Sequence, residues 1–293
     1  MKILIIGYKG FIGKHLFNHL KLLELEVYGV SSAEENGIDP KTGMLSDTFS
    51  ISPGTDAVVY LAQSPHYRQV PDQASHLLNV NVVSAVKVAD MARKAKVKRF
   101  IYTSTGNVYQ PSFQPLTETS PLNRNNWYSL SKIHAEEALA LFSNDMDITI
   151  ARLFGVYGPS QTDKLIPNLI EKVHKEKNIF LARNPHDLDD LDGLKISLLY
   201  IDDLLKILTN ILLYHHPINC VNLAGNEVLT LRQIVETIGS FLHKSVNLEV
   251  IEEYRKFDLI ADIHLLNTIH TKFTPFSIGI EKTIAENSNK VNH

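Results

Sequence analysis

Cysteine, long apolar runs and clusters of a single charge are what this 293-residue sequence has least of. Its lone cysteine, Cys220, excludes an intrachain disulfide and offers no Cys pair for zinc, a usage that fits a reducing compartment. No apolar stretch is long enough to span a bilayer. The opening Met1-Lys2-Ile3-Leu4-Ile5-Ile6 is too short for a secretory core and runs directly into glycine, so it reads as a buried strand. A cytoplasmic protein with no membrane partner is expected. The net charge of −3, without a run of Lys or Arg, excludes the basic field that collects nucleic acid.

Metal signals are equally thin. Thirteen histidines are scattered, and the pair His215-His216 before Pro217 reads as a solvated helix end. The acidic stretch Asp187 to Gly193 puts Leu191 at the fifth position of a calcium loop and Leu198 at the twelfth, where a bidentate Glu is needed. It reads as an exposed loop, no metal site is expected, and Glu286 to His293 reads as a frayed tail.

What is present is an ordinary globular balance, 44% apolar and 21% charged, in a chain long enough for a full core with a smaller appended lobe. In the first half, short apolar runs alternate with longer amphipathic ones. Ile3 to Ile6, Val27 to Val30, Ala57 to Ala62, Arg99 to Thr103 and Ile148 to Arg152 are the expected strands. Gly10 to Leu23, Ala74 to Ala95 and Trp127 to Phe142 are the expected helices. That pattern predicts an α/β fold, a Rossmann-type doubly wound parallel sheet over residues 1–155. A smaller C-terminal α/β substrate lobe follows over 156–293, with helices near Lys164 to Lys175, Asp202 to Tyr214 and Leu231 to Leu242, and segments free to cross back.

Directly after the first strand stands Gly7-Tyr8-Lys9-Gly10-Phe11-Ile12-Gly13. Glycines at this spacing let the backbone turn tightly, approach a pyrophosphate and pack the following helix on the strand, whose N-terminus then faces the phosphates. The cofactor expected is NAD or NADP. At the end of the second strand Ser31 occupies the place where NAD sites carry an acid, and none follows until Glu34, which leans the reading slightly to NADP.

Tyr128-Ser129-Leu130-Ser131-Lys132 places a phenol and an ammonium on one helix face. With eleven tyrosines in the chain, about one such spacing is expected by chance, so the pair takes its meaning from its company. An ammonium about 4 Å from a phenol, worth roughly 4 kcal/mol at an effective dielectric of about 20, would lower the tyrosine's pKa by up to about 3 units. Upstream, Thr103-Ser104-Thr105 delivers hydroxyls to the carboxyl edge of the sheet, where one of them can hold a reacting oxygen.

In this order the chain resembles the extended short-chain dehydrogenase/reductase family, and within it the nucleotide-sugar epimerases, dehydratases and reductases. The matching segments are the glycine turn, Tyr60-Leu61-Ala62, Asn81-Val82, Phe100 to Thr105, Val108-Tyr109, Tyr128 to Lys132, Arg152 to Pro159 and Tyr200 to Asp203. The resemblance implies Thr105 as the hydroxyl residue, Tyr128 as acid/base and Lys132 as its partner and ribose ligand. It implies cofactor contacts at Gly7, Gly10, Phe11, Ile12, Gly13, Ser31, Leu61, Ala62 and Asn81, a nucleotide-sugar substrate, and a homodimer formed through the Ala74 to Ala95 and Tyr128 helices.

Three departures narrow it. Gly106 and Asn107 replace the Asp-Glu pair that 4,6-dehydratases use, which sets dehydration aside. Gly155 stands where many epimerases have Asn, and Lys195 is the nearest cation where an arginine is common. The leading expectation is a 4-epimerase or 4-ketoreductase. The alternatives are a non-catalytic dinucleotide-binding sensor or scaffold, and a reductase of a small non-nucleotide carbonyl.

Overall fold

Ile3, Leu4, Ile5 and Ile6 are fully buried, as are Ala57 to Tyr60, and a strand that is apolar on both faces can only lie in the middle of a covered sheet. In the computed structural model, which describes residues 1–187 and 189–291, these runs are β1 (Lys2–Ile6) and β3 (Ala57–Tyr60). With β2 (Glu26–Val30), β4 (Arg99–Thr105), β5 (Asp147–Leu153) and β6 (Cys220–Leu223) they form a six-stranded parallel sheet in the order β6-β5-β4-β3-β1-β2. Residue Ile3 of β1 is in register with Val27 on one side and Ala57 on the other. The chain leaves β1 in opposite directions across these neighbours, so the switch point of the sheet lies at the carboxyl ends of β1 and β3.

The helices of this half of the chain are α1 (Phe11–Leu22), α2 (Ala74–Leu78), α3 (Ala85–Lys94) and α4 (Trp127–Ala140). The single helix expected from Ala74 to Ala95 is interrupted by a π turn over Asn79–Ser84. Two tyrosines under it give a physical reason. Tyr60 Oη donates to the Val80 carbonyl at 2.5 Å and Tyr102 Oη to the Asn81 carbonyl at 2.9 Å, satisfying oxygens on a turn whose backbone ladder is altered.

The chain divides into two units. The first comprises Met1–Gln110, Ser120–Arg152 and Leu208–Val221, and the second Pro111–Thr119, Leu153–Ile207 and Asn222–His293. The second contains α5 (Leu165–His174), most of α6 (Ile201–Leu213), α7 (Leu231–Leu242) and α8 (Phe276–Val291) with two-stranded sheets. Two expectations change here. The segment expected to fray is helical through Val291, because Phe276, Gly279, Ile280 and Thr283 give α8 one buried face; Asn292 and His293 lie outside the described residues. In the acidic stretch, where Leu188 lies outside the described residues, Asp190 is buried and paired with Arg255 at 2.6 Å and Lys195 at 2.9 Å.

The first unit holds its own buried ion pair. Glu136 on α4 and Arg152 on β5 meet at 2.6 Å, both side chains 7% exposed, and Glu136 also accepts from Ser104 Oγ while Arg152 donates to Tyr109 Oη at 2.9 Å. Removing one partner leaves an uncompensated charge in the core. Arg152→Met is expected to lower unfolding free energy by about 3–5 kcal/mol in urea titrations, and the double change Glu136→Leu with Arg152→Met to restore most of that loss.

Candidate active site

The glycine turn is built by close approach. Gly7 has φ +88 and a Cβ there would stand 2.9 Å from the Ala62 nitrogen, while a Cβ on Gly13 would stand 2.6 Å from the Tyr8 Cα. Only glycine lets β1 turn and α1 pack at these two points. Gly10 caps α1, whose first turn carries no acidic residue, leaving the positive end of the helix to face an anion. Beside it a cleft of about 440 Å³ is lined by Gly7, Gly10, Ser31, Leu61, Ala62 and Gln63 among others. Of the residues expected to bind the cofactor, Gly7, Gly10, Ser31, Leu61 and Ala62 line this cleft. Phe11 and Ile12 form the first turn of α1, and Asn81 is fully buried, bonded to Ser64 N at 3.3 Å and Ser131 Oγ at 3.0 Å.

The acid that sequence spacing put out of reach is at the strand end. Glu34 folds back so that its Oε2 accepts from Ser31 N–H at 2.8 Å and Ser31 Oγ at 2.6 Å, and its Oε1 takes Tyr8 Oη at 3.0 Å and Lys9 Nζ at 2.5 Å. Burial alone would raise this carboxyl, but the Lys9 ammonium and the Ser31 and Tyr8 donors hold it down to about 2. Lys9, from the glycine turn, also lines the cleft. A turn that brings residue 34 back onto residue 31 was the missing signal, and Ser31-Ser32 before Glu34 is a sequence that allows it.

At the carboxyl edge of β4, Asn126 caps α4 by accepting from Ser129 N–H at 2.9 Å, and Ser129 Oγ donates to the Asn107 carbonyl at 2.6 Å. These bonds fix the first helical turn, and with it Tyr128, against the segment that follows Thr105. Thr105 Oγ1 accepts from Asn107 N–H at 3.2 Å, and its hydroxyl acts to lower the Tyr128 pKa. Tyr128 Oη in turn donates to Gln63 Oε1 at 3.1 Å. The Tyr128–Gln63 hydrogen bond thus stands beside the cleft, with the Thr105 hydroxyl close enough to the phenol to act on its pKa. Gln63 had no place in the sequence reading, although its position just past the end of β3 is where such a residue would be sought.

Lys132 is 2% exposed, donates to the Thr103 carbonyl at 2.9 Å and lies 4.7 Å from the centre of the Tyr102 ring. The lowered Tyr128 pKa expected from sequence is not what this arrangement gives. Burial pushes the phenol up to about 12, with the Thr105 hydrogen bond pulling it partly back. Burial also pushes Lys132 down to about 7, opposed by the Glu136 carboxylate. Desolvation acts on both members of the pair, and the lysine sheds charge before it can draw the proton from the tyrosine.

Residues 3–220 match the model of the NAD dependent epimerase/dehydratase family. The chain belongs to that family. It is 26% identical over 287 residues to the UDP-glucose 4-epimerase of Lactobacillus helveticus, covering 87% of this chain and 81% of that protein. It is 27% identical over 241 residues to the dTDP-D-glucose 4,6-dehydratase of Dictyostelium discoideum, covering 70% and 54%. Among solved structures, UDP-glucuronic acid 4-epimerase from Bacillus cereus, in complex with UDP-glucuronic acid and NAD, matches with TM-score 0.79 at 22% identity over 99% of this chain and 100% of that one. An enzyme fold of the extended short-chain dehydrogenase/reductase type, expected from sequence, is thereby established. Among the described residues no helix is long and apolar enough to cross a membrane.

The buried lysine gives this family member a pH signature. Its side chain titrates near 10.5 when unfolded and near 7 when folded, so between those values the unfolded chain binds the proton that the folded chain lacks. Stability is therefore expected to rise with pH across this window, by at most about 1.4 kcal/mol per pH unit. Urea unfolding of wild type and Lys132→Met from pH 7 to about pH 10 checks it: the wild-type slope should exceed that of the variant.

Proposed function

We propose that this protein is a nucleotide-sugar 4-epimerase or 4-ketoreductase in which Tyr128 is the acid/base, Thr105 steadies the reacting oxygen and Lys132 is the partner of Tyr128 and a ribose ligand. The observation that carries the reading is the Tyr128–Gln63 hydrogen bond at 3.1 Å beside a cleft headed by the glycine turn, with the Thr105 hydroxyl at the carboxyl edge of β4 drawing the phenol's pKa down. Gly7, Gly10 and the N-terminus of α1 fit a pyrophosphate, with Ser31 on the cleft wall and Glu34, bonded to it, as a ribose ligand. When bound, the nicotinamide supplies the hydride acceptor and donor.

Tyr128, pushed up to about 12, is a neutral phenol at neutral pH and therefore a proton donor. That state suits protonation of a sugar keto oxygen, the closing half of an epimerisation and the whole of a reduction. The Thr105 hydroxyl, which draws the Tyr128 pKa down, can share its proton with the oxygen that develops charge. The relatives named as UDP-glucose 4-epimerases support a uridine diphosphate sugar as the substrate class.

NAD is the cofactor this reading favours over the NADP suggested by Ser31. A carboxylate held ionised at the end of β2 accepts a ribose hydroxyl and repels a 2′-phosphate, and Glu34 meets that requirement. A cytoplasmic homodimer is part of the same proposal, supported by exposed Val83 and Trp127 on the helices that would pair. Light scattering of the purified protein should give twice the chain mass.

Tyr128→Phe is expected to lower turnover of UDP-glucose or its 4-keto form about 10²- to 10⁴-fold with calorimetric NAD affinity retained. An unchanged biological readout with intact cofactor binding would favour the sensor instead. Glu34→Gln should narrow the preference for NAD over NADP by about tenfold, and an unchanged ratio would remove Glu34 from the cofactor assignment.

A further inference from the structure

Gln63 stands on backbone that cannot drift. The residue before the loop, Leu61, bonds through its N–H to the Ile6 carbonyl at 2.9 Å. The residue after Gln63, Ser64, is 1% exposed and anchored three ways. Its N–H reaches Asn81 Oδ1 at 3.3 Å, its Oγ meets His76 Nδ1 at 2.8 Å, and the same Oγ accepts from His66 N–H at 3.1 Å. His76 Nε2 faces the Pro40 carbonyl at 3.2 Å, which only accepts, so Nε2 carries the ring proton and Nδ1 accepts from Ser64. Every donor in this anchor has an acceptor, and the Gln63 side chain is carried to the cleft wall and to the Tyr128 hydroxyl.

We propose that Gln63 is the positioning residue of Tyr128: its amide carbonyl holds the phenol proton and keeps the hydroxyl at the cleft, and its amide NH₂ replaces the carbonyl as partner when the phenol ionises. The inference rests on Tyr128 being the acid/base. A primary amide carries an acceptor and two donors on one planar centre, so a half-turn of the side chain serves either protonation state. Gln63 is the partner whose flip distinguishes the two states. The Tyr67 ring packs against that of Tyr128, with centroids 5.3 Å apart.

The experiment uses the full chain labelled with ¹³Cζ-tyrosine, with the Tyr128 resonance assigned by its loss in Tyr128→Phe. Gln63→Lys places a cation at the phenol and should move the Tyr128 titration down by at least one pH unit, a tenfold gain in phenolate at fixed pH. Gln63→Met, apolar and similar in length, should not move it down. Titration of the lysine variant at the wild-type position would overturn the proposal, and Gln63→Arg answers the same question if the lysine variant does not fold. In turnover, Gln63→Met should lower kcat about tenfold with KM and NAD affinity within about twofold, whereas an unchanged kcat would also overturn it. The titration needs no substrate. If the wild type turns over no nucleotide sugar, the functional reading fails while the assignment of Gln63 still stands or falls on the Tyr128 resonance.

Discussion

Burying a lysine nitrogen costs several kcal/mol unless its surroundings answer it, and the first unit is arranged around answering Lys132. Four consecutive residues of β4 take part. Tyr102 offers its ring face and Thr103 its carbonyl, Ser104 donates to Glu136 one helical turn from the lysine, and the Thr105 hydroxyl acts on the Tyr128 phenol. Glu136 in turn needs Arg152 on β5, and the Tyr102 hydroxyl is committed to the π turn at Asn81.

The cofactor edge is organised by a different constraint, the closeness of backbones. A Cβ on Gly29 would overlap the Tyr8 ring, so the ring lies against β2 and its hydroxyl extends to Glu34. Tyr8, Lys9 and Ser31 then converge on a single carboxylate. The same residues that turn the chain after β1 therefore set the charge at the far end of the cleft, and fold and electrostatics are specified together.

Much of this was legible before the structure. Fully apolar runs marked β1 and β3 because parallel strands bury both faces, and the glycine spacing marked the turn because its two closest approaches leave no room for a side chain. Local patterns located α4, which carries both Tyr128 and Lys132. What escaped depended on tertiary contact. Glu34 is three residues from Ser31 in sequence and bonded to it in space, Gln63 is 65 positions from Tyr128, and the π turn is set by hydroxyls from two strands. The direction of the Tyr128 pKa was misjudged for the same reason, since a charge pair is visible in spacing and the dielectric around it is not.

The sixth strand of the sheet has a consequence for the order in which the chain can assemble. β6 pairs with β5 but is made after α6, some seventy residues later in synthesis. As the protein leaves the ribosome, β1 to β5 can associate while the outer edge of β5 still presents unpaired N–H and C=O groups to any neighbouring strand. The nascent first unit is thus an open-edged intermediate until Cys220–Leu223 emerges, and the interval set by ribosome speed over that stretch is the period in which a chaperone would have most to protect.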